Sequence, residues 1–183
     1  EWESSDIVFL TIHENRGSSS EKNNEIDHYS IRNKLYNFKW EGSLTISDLG
    51  ILDAGSSLKD TYAALKEITF EIQKKSKLLV LLGGSQDLTF ANYLGYEQLE
   101  QPINLTCIDN SFDVVVDQEQ EISDKNYINH LLLHSPNNLF NFSILGCQQY
   151  YVGPEDLRFF DELFFDYIRL GELQNSISKS EPI

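Results

Sequence analysis

Short apolar runs alternate with amphipathic stretches along the chain, and the alternation predicts strands and helices in turn. Residues 6–12, Asp-Ile-Val-Phe-Leu-Thr-Ile, form a β-branched apolar run suited to a buried strand. A polar, turn-rich loop over 13–24 follows, and Ile26, Tyr29, Ile31, Leu35 and Phe38 then stand at helical spacing, predicting a helix over 25–38. Residues 44–52 read as a second strand. Ser57 and Asp60 have the form of a capping box, and Leu58, Tyr62, Leu65, Ile68, Phe70 and Ile72 share a broad face, so a helix is expected over 58–75. Lys74, Lys75 and Lys77 lie where cations suit the end of its dipole.

Residues 77–82, Lys-Leu-Leu-Val-Leu-Leu, run without alternation, as a strand covered on both faces does. Gly83-Gly84-Ser85 breaks the run, and a helix can start at Asp87 and reach Leu99. Beyond it the pattern predicts a strand over 103–108, an exposed acidic loop over 117–126, a short helix over 127–134 and a strand over 142–147. Gly153-Pro154-Glu155-Asp156 opens an amphipathic helix whose expected apolar face is Leu157, Phe160, Leu163, Phe164 and Tyr167. Residues 168–183 read as a polar tail. The aromatic residues Tyr150, Tyr151 and Phe159 to Tyr167 read as core and helix face. Strands alternating with helices imply an α/β fold, a three-layer α/β/α sandwich with a mostly parallel sheet.

Composition narrows the function. Among 183 residues, 14 Lys and Arg stand against 29 Asp and Glu, for a formal net charge of −15. Such a surface repels a phosphate backbone, and no basic stripe offsets it, so a nucleic-acid partner is not expected. The charge is uneven, with 10 basic and 14 acidic residues in 1–90 but 4 and 15 in 91–183. Solubility explains the acidic second half most simply, although such a field also attracts cations. No apolar run approaches the length of a membrane span, so no membrane partner is expected. Cys107 and Cys147 lie inside apolar runs and read as reduced core thiols, which fits a cytoplasmic setting. The chain contains no methionine, not even an initiator, so it is expected to begin after its natural start or to be cut from something longer.

Ligands of open α/β sheets gather at the carboxyl ends of strands. Two such ends carry small and polar residues: Gly83-Gly84-Ser85-Gln86-Asp87 and Asp109-Asn110-Ser111-Phe112-Asp113. Taken alone, the glycine pair also suits a tight strand-to-helix turn, and the aspartates suit loops and caps. Together, Leu78 to Asp87 followed by Cys107 to Asp113 resemble the ureohydrolase family of arginases, agmatinases and formimidoylglutamases. That family carries Gly-Gly-Asp-His and Asp-Ala-His-x-Asp at equivalent strand ends, and their side chains hold two manganese ions that activate a bridging hydroxide. The resemblance covers most of the 183 residues.

Both motifs are altered. Carried over by position, the first histidine is Gln86 and the second is Ser111, while Asp109 and Asp113 remain as candidate metal ligands. Gly83 and Gly84 line the same implied site. Amide and hydroxyl are weak neutral ligands for a borderline metal, so the site is expected to hold no cofactor, or a weakly bound Mn²⁺ or Mg²⁺. The family's later Asp-x-Asp ligands have no counterpart before Ile183. The chain is therefore expected to be a single domain, or the amino-terminal part of one that continues. The family sheet inserts later strands between earlier ones, so open apolar edges and self-association are also expected.

Three functions follow from different classes. The first is a ureohydrolase-like protein with a degenerate metal site, catalytically impaired, which keeps a small guanidino or formimino compound as its partner. The second is an active formimidoylglutamase-like hydrolase of linear C–N bonds, with a reduced metal site completed beyond Ile183. The third is a nucleotide- or anion-binding module using the Gly83-Gly84 loop. Against the third, no Lys follows the glycines and Asp87 puts negative charge where a phosphate would lie. Ser111 has no histidine in either motif to serve as its base. His130 and His134, at i and i+4, have metal-compatible spacing but read as packing or surface residues.

Overall fold

In the computed structural model, which describes residues 2–20, 27–39, 41–114 and 121–179, β1 (Ile7–His13) is the centre of a three-stranded sheet. It pairs in parallel with β2 (Ile46–Asp53) on one side and β3 (Leu78–Leu82) on the other. Val8, Leu10 and Ile12 are buried at alternate positions and Thr11 is buried on the other side, as a strand covered on both faces requires. The connection through α1 (His28–Tyr36) leads to β2, and α2 (Leu58–Lys74) leads to β3.

A second three-stranded sheet has the order β4 (Ile103–Ile108), β5 (Leu139–Cys147), β6 (Asp166–Arg169), again wholly parallel. Between and after the strands lie α3 (Leu88–Glu97), α4 (Tyr127–Leu133), α5 (Pro154–Glu162) and α6 (Leu170–Lys179). Its core is aromatic: Phe112 and Phe160 lie 4.0 Å apart between ring centroids, and Phe142, Tyr127 and Ile144 are buried around them. Phe90 and Ile122 pack against both this core and the one under the first sheet, and so join the two halves.

Several expected elements form where the sequence places them. The capping box of α2 is present, with Ser57 Oγ accepting from the Asp60 amide at 3.3 Å and Asp60 accepting from the Ser57 amide at 2.8 Å. Thr61, Tyr62, Leu65, Thr69 and Ile72 are its buried stripe. Helix α3 crosses it at Gly95, where a Cβ would lie 2.5 Å from Thr69 Cβ and 2.7 Å from the Lys66 carbonyl oxygen.

Other elements differ from expectation. Helix α5 ends at Glu162, so Leu157 and Phe160 stay on its face but Leu163, Phe164 and Tyr167 do not. Phe164 takes a left-handed φ of 57° and is exposed, which turns the chain back to lay β6 beside β5 with Tyr167 opposite Ile144. The expected polar tail begins instead with this strand and with α6 up to Lys179; residues 180–183 lie outside the described part. Tyr150 and Tyr151 are exposed in the turn after β5 rather than in the core. Helix α1 buries only His28, while Tyr29, Ile31 and Tyr36 are exposed; Ile26 falls outside the described residues. Residues 117–120 of the acidic stretch are likewise outside, and residues 121–126 form a turn-rich approach to α4.

Strand β3 is not fully covered. It pairs only with β1 among the described residues, Leu78 is 58% exposed, and the rest of the strand is half-buried. Strand β4 likewise pairs only with β5, and Ile108 at its end is 80% exposed. These open apolar edges are those of an incomplete parallel sheet.

A buried carboxylate, Glu14, paired with the partly exposed Arg16, ties the exit of β1 to the start of α2. The Glu14 carboxylate accepts from Arg16 Nε at 2.9 Å, from the Arg16 amide at 3.0 Å and from Thr61 Oγ1 at 2.7 Å. Arg16 also donates to the Gly55 carbonyl at 2.8 Å. Burial pushes the Glu14 carboxyl up, but Arg16 and Thr61 outweigh it and hold it down at about 2.

Two outcomes follow from this packing. Gly95→Ala should destabilise by about 1–3 kcal/mol through overpacking, the opposite sign to the usual helical Gly→Ala change. Urea unfolding at neutral pH measures it, and an unchanged or higher midpoint contradicts the close crossing. The depressed Glu14 carboxyl contributes stability that is full above its ordinary value of 4.5 and is lost as pH falls towards about 2. Unfolding curves between those limits should therefore fall more steeply for the wild type than for Glu14→Gln, and parallel curves would contradict this.

Candidate functional site at the ends of β3 and β4

Strand β3 ends in two left-handed residues, Gly83 at φ 85° and Gly84 at φ 80°, a conformation that glycine alone adopts freely. At Gly84 a Cβ would meet the Glu14 carbonyl oxygen at 3.0 Å, so the chain passes close under the exit of β1. The Ser85 amide donates to that same carbonyl at 3.0 Å and fixes the turn. Gln86 comes next, and its amide Nε2 donates to Tyr127 Oη at 3.2 Å and reaches Cys107 Sγ at 3.5 Å. Burial raises both the Tyr127 phenol and the Cys107 thiol, so the cluster around Gln86 is neutral.

Asp87 is fully buried and accepts a hydrogen bond from Tyr62 Oη. Its carboxylate sits against the backbone of Gly17, where a Cβ would lie 2.2 Å from it. Burial pushes this carboxyl up, against the opposing hydrogen bond from Tyr62. Asp87 therefore belongs to the packing between the β1 exit and α3, not to the open surface.

At the end of β4, Asp109 Oδ1 accepts from the Asn110 amide at 2.6 Å and from the Ser111 amide at 3.4 Å, which closes an Asx turn. Ser111 Oγ donates to Asp113 Oδ1 at 2.9 Å. Asp113 has a left-handed φ of 45°, and its side chain is 5% exposed. Lys125 Nζ lies 3.1 Å from that same Oδ1. Burial raises the Asp113 carboxyl, and the Lys125 charge and the Ser111 hydroxyl pull against it. The Lys125 ammonium is raised in turn, because its attraction to Asp113 outweighs its own partial burial.

Asn110, Ser111, Asp113, Lys125, Tyr151 and Asp156 face a cleft of about 440 Å³. Ser111 and Asp113 thus share one cleft. Gln86, Gly83, Gly84 and Asp109 do not line it, although Gln86 comes within reach of β4 through Cys107. Sequence reasoning missed Lys125, Tyr151, Asp156 and Gly17. The only sequence signal at Lys125 was a lone cation in an acidic stretch.

The two spaced histidines have structural partners. His134 Nε2 lies 2.7 Å from Glu97 Oε2, and both His130 and His134 stand edge-on to Phe90, so the pair fastens α4 to α3. Among the described residues no group of three or more His, Cys, Asp or Glu side chains is placed to hold a metal ion. The donors at the two strand ends do not fit a dinuclear centre: Gln86 offers a neutral amide, Ser111 a hydroxyl, and the better-buried carboxylate already bears an ammonium.

No protein-family model matches the chain, and no curated protein is similar to it. Solved structures are. Trypanosoma cruzi formiminoglutamase with Mn²⁺ superposes with a TM-score of 0.83 at 17% identity, covering 96% of this chain and 63% of that one. Formimidoylglutamase from Bacillus subtilis gives 0.77 at 12% identity, covering 92% and 56%. The agmatine ureohydrolase of Thermoplasma volcanium gives 0.75 at 16% identity, covering 95% and 60%. No helix among the described residues is long and apolar enough to cross a membrane. The chain spans less than two thirds of the length of these structures, and over that span it has the α/β fold of the ureohydrolases.

Proposed function

We propose that this chain is a ureohydrolase-like protein whose metal site has degenerated, a binding or regulatory protein and not a hydrolase. One observation carries the reading: the groups at the two altered strand ends are engaged with one another or with neutral neighbours. Gln86 is bonded to Tyr127 and lies against Cys107, Ser111 donates to Asp113, and Asp113 carries Lys125. A hydroxide-generating centre needs cations held by deprotonated or imidazole ligands, which lower the pKa of bound water by several units. Two neutral side chains and a neutralised carboxylate cannot do this. The cleft beside Ser111 and Asp113 remains as a place for a small polar molecule, and the guanidino and formimino compounds implied by the family resemblance are its first test ligands.

The test is metal content. After expression with added manganese and gel filtration, mass spectrometry should find far less than one Mn per chain. No guanidino or formimino substrate should be turned over when Mn²⁺ is added back. Near-stoichiometric Mn, or Mn-dependent release of product, overturns the proposal in favour of the active-hydrolase reading.

A further inference from the structure

The geometry points to Lys125 as a tethered cation that takes the place of a bound metal: its ammonium neutralises the buried Asp113 carboxylate at the end of β4, and removing it opens a divalent-cation site. This deepens the reading above, since it rests on the absence of a metal pair in the native site.

Three observations carry it. Asp113 is a side chain 5% exposed on a left-handed residue, so its carboxylate is held in place and needs a positive partner. The only cation within ion-pairing distance among the described residues is Lys125, whose own side chain is 58% exposed and whose Nζ turns inward to 3.1 Å. The loop that delivers Lys125 is built. Ser123 donates its amide to Asn126 Oδ1 at 2.7 Å, Asn126 Nδ2 donates to the Glu121 carbonyl at 3.0 Å, and the Lys125 amide donates to Ser123 Oγ at 3.3 Å. Asp124, beside Lys125, is clamped to the β1 exit: its amide donates to the Gly17 carbonyl at 2.9 Å, and its carboxylate accepts from the Ser19 amide at 2.9 Å. A surface lysine with no task needs no such mount.

Lysine suits this role because it is a compact point charge on a flexible stem, closer to a metal ion than a planar guanidinium is. With the ammonium gone, Asp113 Oδ1 and Ser111 Oγ face a cleft of about 440 Å³ that admits water. Carboxylate, hydroxyl and water are oxygen ligands of the kind that Mg²⁺ and Mn²⁺ accept. The site so opened takes a hard divalent cation weakly.

Thermal unfolding of the full chain, with and without millimolar MnCl₂ or MgCl₂, tests the proposal on the wild type, Lys125→Met, Lys125→Arg and the double variant Lys125→Met with Asp113→Asn. The wild type and Lys125→Arg should show no metal-dependent shift. Lys125→Met should melt roughly 5 °C lower and recover part of that loss with Mn²⁺ in a saturable way. The double variant should recover stability without metal and lose the response to it. A Lys125→Met protein as stable as the wild type and indifferent to both metals overturns the inference while leaving the degenerate-site reading intact. A wild type that is itself stabilised by Mn²⁺ overturns both. Should Lys125→Met be insoluble, a soluble double variant supports the inference and an equally insoluble one overturns it.

Discussion

A carboxylate held out of water at a strand end is costly unless a proton, a hydrogen bond or a positive charge matches it. At Asp113 that charge is supplied from within, by Lys125 at 3.1 Å. Breaking a buried pair by removing one member costs about 3–5 kcal/mol where both are buried. Here the lysine stem is largely in solvent, so the pair is worth less than that and more than the ~0–1 kcal/mol of a surface pair. A divalent ion arriving from solution would have to displace an ammonium already anchored there, and it would find a hydroxyl and no imidazole beside it.

The rest of the site is organised around keeping that arrangement in place. The turn over 121–126 is fastened through Asp124 to Gly17 and Ser19, on the loop that leaves β1. That loop is in turn fixed by Glu14, which takes three kinds of donor from Arg16 and Thr61 and offers its carbonyl to the Ser85 amide. The Gly83-Gly84 turn therefore has a structural role that survives any loss of chemistry, since it carries the chain under Glu14 into α3. The two halves of the molecule meet here too, where Gln86 reaches across to Cys107 and Tyr127. Neutral hydrogen bonds and one ion pair tie these strand ends to their neighbours.

The sequence carried the elements whose signals are local. The run of Leu78 to Leu82 announced a strand, and the Ser57–Asp60 box announced the start of α2, because periodicity and capping depend on neighbours a few residues away. The two strand-end motifs were legible for the same reason. The course of the chain after α5 was not. It turns on Phe164 taking a left-handed conformation, which no residue type at that position foretells, so the apolar run through Tyr167 read as a continued helix. Contacts between distant residues were equally hidden. Lys125 stands 12 residues from Asp113, and its neighbour Asp124 is held at the β1 exit by Gly17 and Ser19, contacts no local pattern announces. Gly17 looked like ordinary loop glycine, yet the Asp87 carboxylate occupies the space a side chain would need. Open apolar edges were expected only through the family resemblance, and that Leu78 and Ile108 would bear them was not, because the strands themselves are as apolar as fully covered ones.

Everything proposed for the site turns on whether an ammonium or a metal ion sits on Asp113. Anomalous diffraction from crystals soaked in MnCl₂ examines it directly. Lys125 Nζ should lie within hydrogen-bonding distance of Asp113 Oδ1, with no manganese peak at the ends of β3 and β4. An anomalous peak bridging Asp109 and Asp113, with the Lys125 side chain turned out to solvent, would contradict it.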